Sequence, residues 1–211
     1  MRNRRRLIVA DGYLPLVDHT DIAALQAGDV LSKYYHGGLT HNVIAGGQKF
    51  WHPTKKYANI VHTALYIGDG WVAEASSGGL HKNSLTQHLA KSYKYKAYRY
   101  VGERANGLIE AVLQRVETHM GRETEYSQKN AFFSNMAFGK QSVREAEKVP
   151  LIDGSQVFCS GTVVDWFNNT ALELNLSPPI GFDGSAASPQ ALEGFLDKSS
   201  NWRFIAKVKR G

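Results

Sequence analysis

The order of apolar and polar residues along the chain predicts both strands and helices. Strand-like alternation follows a Gly28-Asp29 turn and recurs through the chain, at 26–35, 59–67, 71–75, 93–101 and 202–208. Apolar residues recur at helical spacing over 104–121, where Gly121 fits a C-terminal stop. Further helices are predicted at 21–25, 128–138, 160–169 and 188–196, the last beginning with Ser-Pro. Strands therefore precede and follow a central helical block, and this order predicts an α+β domain.

Length and composition favour a single domain over 1–211. A chain of 211 residues with 43% apolar and 21% charged residues is typical of a soluble globular protein. No apolar run approaches the roughly 18 residues of a transmembrane helix, so we expect no integral membrane segment. The segment 36–56 carries four glycines and a proline, and this composition predicts a long irregular loop.

The N-terminus and the net charge limit the setting in which the protein acts. Basic residues at 2–6 precede an apolar stretch, but Asp11 interrupts it after four residues. A secretory signal needs roughly 7–15 apolar residues, so we expect synthesis in the cytoplasm without a Sec signal. The charge of +6 and the pI of about 9.3 favour anionic partners, such as lipid headgroups or a bacterial wall. Lys and Arg form no stripe with aromatic residues, so we expect no nucleic-acid binding.

The single cysteine, Cys159, is a candidate nucleophile. With one cysteine in the sequence, neither an intramolecular disulfide nor a cysteine-based zinc site can form. In 157-VFCSGTVVDWF-167 it stands where an extended segment becomes a helix, whose N-terminal N–H groups and dipole favour a thiolate. The same N–H groups can stabilise an oxyanion, and Ser160 and Gly161 leave room for a substrate. The alternative is a buried cysteine without chemistry.

A cysteine nucleophile needs an imidazole and a polar group that orients it. Among eight histidines, His62 is preferred because a strand fixes its position, while His81, His88 and His119 are expected at the surface. Four histidines, His36, His41, His52 and His62, match no metal-binding spacing, and we expect no metal and no cofactor.

The run 61-VHTALYIGDGWVAEAS-76 offers Glu74 as the orienting group, depending on the hairpin register. A tight turn at Asp69-Gly70 places residue 65 opposite Glu74, which then projects from the face opposite to His62. A five-residue loop over 66–70 places His62 directly opposite Glu74. The functional interpretation therefore requires a wider loop or a bulge. Otherwise both side chains are solvated edge residues.

These residues resemble the NlpC-type papain-like cysteine peptidases in their circularly permuted branch, where the histidine strand precedes the cysteine helix. The resemblance covers about 25–208, with 36–56 as a probable insertion. Its motifs are His62, 64-ALYIGDG-70 and Glu74, with 28-GDVL-31, 121-GRETEYS-127, 159-CS-160 and 188-SPQAL-192. One departure is Ser127, where relatives often have Asp after the tyrosine.

The resemblance implies a papain-like fold and amide hydrolysis in bacterial peptidoglycan stem peptides. Cys159 would be the nucleophile, His62 the base and acid, and Glu74 the orienter, with Tyr126 and Ser160 contacting the substrate. An antibacterial effector delivered by a specialised system, such as type VI secretion, would act in a target-cell periplasm and have an immunity protein and a secretion-apparatus partner. The alternatives are a lipid acyltransferase or esterase of the permuted group, a hydrolase of another amide, and a non-catalytic binding module.

Overall fold

Six strands of the described chain form one antiparallel sheet in the order β4-β3-β2-β1-β5-β6. The structure is a computed structural model that describes residues 22–34, 59–76, 79–91, 93–120, 159–184 and 187–209. The strands are β1 (Val30–Tyr34), β2 (Ile60–Gly68), β3 (Trp71–Ser76), β4 (Gly79–Ser84), β5 (Tyr95–Tyr100) and β6 (Trp202–Val208). The helices are α1 (Leu85–Ala90), α2 (Ala105–Met120), α3 (Cys159–Glu173) and α4 (Pro189–Leu196). The protein is therefore an α+β structure.

Most predicted elements that fall on described residues are confirmed, although some of their ends differ. The helix predicted at 160–169 begins one residue earlier and extends to Glu173. The helix predicted at 21–25 is wrong in its described part, where residues 22–24 form a turn. Both β4 and α1 were missed. The predicted loop at 36–56 and the predicted helix at 128–138 lie outside the described residues.

The two faces of the sheet carry separate cores because neighbouring residues of a strand point to opposite sides. On one face, Leu65 and Tyr98 pack with the apolar sides of α2, α3 and α4. On the other face, Leu31 and Ala64 pack with the two buried leucines of α1. None of the helices in the described part is both long enough and apolar enough to cross a membrane.

Strand β2 contains two irregularities that lie on either side of His62. Its pairing with β1 runs from Lys33↔His62 to Tyr34↔Ile60, which leaves Val61 as an extra residue. Its pairing with β3 runs from Tyr66↔Val72 to Gly68↔Trp71, which leaves Ile67 as an extra residue. Each bulge changes which side chains share a face, and bulges are frequent next to active sites.

Candidate active site

The hairpin between β2 and β3 combines a tight turn with a bulge. Asp69 and Gly70 have φ values of 51° and 79°, and Gly68 pairs with Trp71 directly across them. The extra residue Ile67 then shifts the register, so that Leu65 pairs with Ala73. This register, continued by one residue, sets Glu74 opposite Ala64, which places Glu74 on the same face as His62. The functional interpretation required a wider loop or a bulge, and the bulge at Ile67 meets that requirement, whereas the five-residue loop with His62 directly opposite Glu74 is not formed.

The His62 ring forms a hydrogen bond with the Glu74 carboxylate. Nε2 of His62 lies 2.7 Å from Oε2 of Glu74, and the two residues stand diagonally across the hairpin rather than directly opposite. Oε1 of Glu74 accepts a hydrogen bond of 2.7 Å from Nδ2 of Asn83 on β4. Burial raises the pKa of Glu74, but the charge and hydrogen bond of His62 outweigh it and lower that pKa to about 2. Glu74 is therefore an ionised carboxylate at neutral pH.

Cys159 is the first residue of α3. It approaches β2 at Thr63, on the N-terminal side of the β2 residues that pair with β3. The His62 ring and the backbone N–H groups of Thr63 and Ser160 lie close enough to its sulfur to stabilise the thiolate. Burial raises the pKa of the thiol, but the charge of His62 and hydrogen bonds from these groups reverse the effect and lower it. The arrangement therefore favours a thiolate.

The protonation of His62 complements that of Cys159. Burial lowers the pKa of His62, whereas the Cys159 thiolate and the Glu74 carboxylate raise it, with a net result of about 10. Because Nε2 faces Glu74, Nδ1 is the ring nitrogen left for the sulfur. The arrangement therefore favours a thiolate beside an imidazolium that also contacts a carboxylate, the combination of groups that a cysteine nucleophile needs.

Three side chains near this pair have no role in the sequence-based prediction. Asn83 and His88 lie on β4 and α1, which that prediction missed. The side chain of His88 is only 12% exposed, and its Nε2 lies 3.4 Å from Oε1 of Glu74. Lys33 is 6% exposed and pairs with His62 across β1 and β2. A charge two residues after the buried Leu31, and so on the same face, was a signal available in the sequence.

The other two histidines that were expected at the surface, His81 and His119, are half-buried. His119 accepts a hydrogen bond of 3.0 Å from Nε1 of Trp166, and Nε2 of His81 is buried with no hydrogen-bond partner among the described residues. Since β4 pairs with β3, His81 stands opposite Glu74. His36, His41 and His52 lie outside the described residues. Within the described segments, no three His, Cys, Asp or Glu side chains are grouped to hold a metal ion.

Of the two expected substrate contacts, Ser160 is the one that falls on described residues. Tyr126 lies outside the described residues. Ser160 is completely buried, and its hydroxyl donates to the carbonyl of Ala187, just before α4. The hydroxyl therefore links the N-terminus of α3 to the segment that leads into α4 by a hydrogen bond. The backbone N–H of Ser160 lies near the Cys159 sulfur.

Comparison with known proteins finds a similar solved structure but no matching family. No family model matches the chain, and no curated protein matches it. Among solved structures, the crystal structure of the metalloprotein yiiX from Escherichia coli O157:H7 is similar, with a TM-score of 0.50 and 15% identity over 87% of this chain and 98% of that chain. A likeness at this identity concerns the fold alone.

Proposed function

We propose that this chain is a cysteine hydrolase with the permuted papain-like arrangement, in which a histidine strand precedes the cysteine helix. Cys159 is the nucleophile, His62 the general base and acid, and Glu74 the group that orients His62. One observation carries the proposal: the His62 ring interacts with both the Cys159 sulfur and the Glu74 carboxylate, with Nε2 at 2.7 Å from Oε2. The order of the three residues along the chain supports the permuted form.

The charges of the site suit a two-step hydrolysis. The thiolate attacks the amide carbonyl, and N–H groups at the start of α3 stabilise the oxyanion. Collapse of the tetrahedral species breaks the C–N bond, and His62 gives a proton to the departing amine. Water then attacks the thioester while His62 takes its proton, so that a carboxylic acid leaves and the thiolate–imidazolium pair returns. Glu74 stays ionised throughout because it balances the imidazolium.

The proposed substrate is an amide bond in bacterial peptidoglycan stem peptides. The resemblance to NlpC-type peptidases supports this class, and the net charge of +6 suits an anionic wall. In this proposal the protein is an antibacterial effector that a specialised secretion apparatus delivers to the target periplasm, with an immunity protein as a further partner. The mechanism assigns no step to a metal, although the similar yiiX structure is described as that of a metalloprotein.

Peptidoglycan digestion tests the proposal. Wild type and Cys159→Ala are incubated with purified peptidoglycan, with and without EDTA, and soluble fragments are identified by mass spectrometry. We expect wild type to release peptide fragments equally with and without EDTA. Loss of the nucleophile should reduce release by about a thousandfold or more, and His62→Ala should act similarly.

Two results would contradict this function. Fragment release by Cys159→Ala at the wild-type rate would remove the cysteine from the chemistry. Cys159-dependent release of fatty acid from phospholipid vesicles, with no release from peptidoglycan, would replace the peptidase with the lipid acyltransferase or esterase of the same group.

A further inference from the structure

A lysine is buried beside the proposed catalytic pair. Lys33 pairs with His62 across β1 and β2, so the two side chains leave the same face of the sheet with their Cβ atoms about 5 Å apart. Lys33 is 6% exposed, and its Nζ lies 3.3 Å from the centroid of the Tyr93 ring. The ammonium is therefore held at the site, with one side covered by an aromatic face.

Among the described residues, no carboxylate lies within 4 Å of the Lys33 ammonium, and Lys33 belongs to none of their ion pairs. Glu74 is attracted to it from a distance, but both oxygens of that carboxylate already have partners in His62 and Asn83. Burial lowers the pKa of Lys33, whereas Glu74 and the Cys159 thiolate raise it less strongly, and the net pKa is about 8. A buried ammonium without a close counter-ion is costly, so a bound anion would stabilise it.

We propose that Lys33, backed by Tyr93, is an anion subsite that takes a carboxylate carried by the substrate next to the scissile amide. The inference rests on the proposed role of Cys159 as nucleophile, because Lys33 can bind a group next to the scissile amide only if that amide is attacked at the Cys159–His62 pair. The ring of Tyr93 occupies one side of the ammonium, and the remaining N–H groups can donate to a carboxylate. The subsite selects peptides with a free carboxylate near the cleaved bond over their amidated forms.

Alkylation of Cys159 tests the subsite without any substrate. Iodoacetate and iodoacetamide each react when the thiolate sulfur displaces iodide, and they differ in a carboxylate against a neutral amide. The ratio of the two rate constants cancels changes in thiolate reactivity. We expect Lys33→Met to lower the iodoacetate-to-iodoacetamide ratio about tenfold, as expected for loss of one charged hydrogen bond.

Matched variants separate the subsite from a general charge effect. Lys82→Met removes another lysine that lies over an aromatic ring, 5.0 Å from the Trp71 centroid, but on the opposite face of the sheet. We expect Lys82→Met to keep the wild-type ratio and Lys33→Arg to keep most of it. Lys33→Gln serves the same purpose as Lys33→Met if the latter does not fold. An unchanged ratio in the folded, neutral Lys33 variant overturns the subsite.

The result is independent of the hydrolase test. Peptidoglycan hydrolysis with an unchanged alkylation ratio would leave the hydrolase and remove the subsite. A Lys33-dependent ratio without peptidoglycan release would leave the subsite and remove the proposed substrate. If both hold, a stem peptide with a free glutamyl carboxylate should have a lower KM than its carboxamide form, and Lys33→Met should abolish the difference.

Discussion

Two imidazoles contact the Glu74 carboxylate, and their environments give them different charges. His62 is held as an imidazolium by Cys159 and Glu74. Burial lowers the pKa of His88, which therefore stays neutral at pH 7. Because Glu74 only accepts hydrogen bonds, the single proton of neutral His88 belongs on Nε2, and Nδ1 accepts from the Tyr95 hydroxyl at 2.8 Å. His88 thus lies beside Glu74 as a neutral group and does not compete with the His62 cation for the carboxylate.

Glu74→Gln should weaken the protonation of His62. The carboxylate is among the groups that raise the pKa of His62 to about 10, so its removal should lower that pKa by about 1–2 units. Because the proposed mechanism starts from the imidazolium, the alkaline limb of the proposed hydrolysis should move to lower pH by the same amount. NMR titration of the His62 ring and the pH profile of kcat/KM measure the two effects.

An exposed carboxylate provides the matched control for this prediction. Glu117 lies on the solvent side of α2, and Glu117→Gln should change neither the titration of His62 nor the pH profile. An unaltered His62 pKa in Glu74→Gln would contradict the ion pair between the two side chains.

At the scale of elements, periodic segments could be predicted from the sequence and registers could not. The strand that carries His62 and the helix that Cys159 begins both have clear periodicity. Strand β4, with the sequence GLHKNS, has one apolar residue, and α1 has six residues, so neither carries enough periodicity to be recognised. The bulge at Ile67 depends on one extra residue in a continuous apolar run, which no pattern marks. The three proposed catalytic residues could thus be selected from the sequence, whereas their mutual geometry could not.

Gly68→Ala should destabilise the hairpin that sets this geometry. Gly68 has a φ of 96° beside the bulge, a conformation that costs a residue with a Cβ about 1–2 kcal/mol. There is space for the methyl group, since its nearest neighbour would be Cβ of Ala27 at 3.7 Å, so the expected loss comes from the backbone. Urea denaturation measures it as a lower free energy of unfolding.

The same substitution in a helix should have the opposite sign. Gly107 lies in α2 with nothing within 4 Å of an added Cβ, so Gly107→Ala should stabilise the protein by about 0.5–1 kcal/mol. Equal stability of Gly68→Ala and wild type would mean that residue 68 does not adopt the positive φ.

At the scale of the molecule, the proposed site joins the two faces of the sheet. Helix α3 packs on one face, whereas Lys33, His62 and Glu74 project from the face that α1 covers. Cys159 reaches His62 where β2 no longer pairs with β3, and the N–H of Thr63 bonds the sulfur there. The site therefore depends on the positions of β1 and β2 within the sheet as well as on its own side chains.

An ion pair between the buried Asp29 and the partly exposed Arg99 fixes the start of β1 against β5. Arg99 donates from Nε and Nη2 to the two carboxylate oxygens of Asp29, each at 2.8 Å, and Asp29 is completely buried. Asp29 also accepts a hydrogen bond of 2.9 Å from the backbone N–H of Gln26. The pair thus ties the turn that precedes β1, four residues before Lys33, to the neighbouring strand.

Arg99→Met should leave a buried carboxylate without its partner and lower the free energy of unfolding by about 3 kcal/mol. Arg203→Met provides the matched control, since Arg203 pairs with Arg99 across β5 and β6 but is exposed, and it should change stability by less than about 0.5 kcal/mol. The double variant Asp29→Asn/Arg99→Met removes both charges, so it should recover part of the loss if the cost comes from the unpaired carboxylate. A double variant less stable than Arg99→Met by the full effect of Asp29→Asn would instead show that the two side chains act independently. Urea denaturation of wild type, the three single variants and the double variant distinguishes these outcomes.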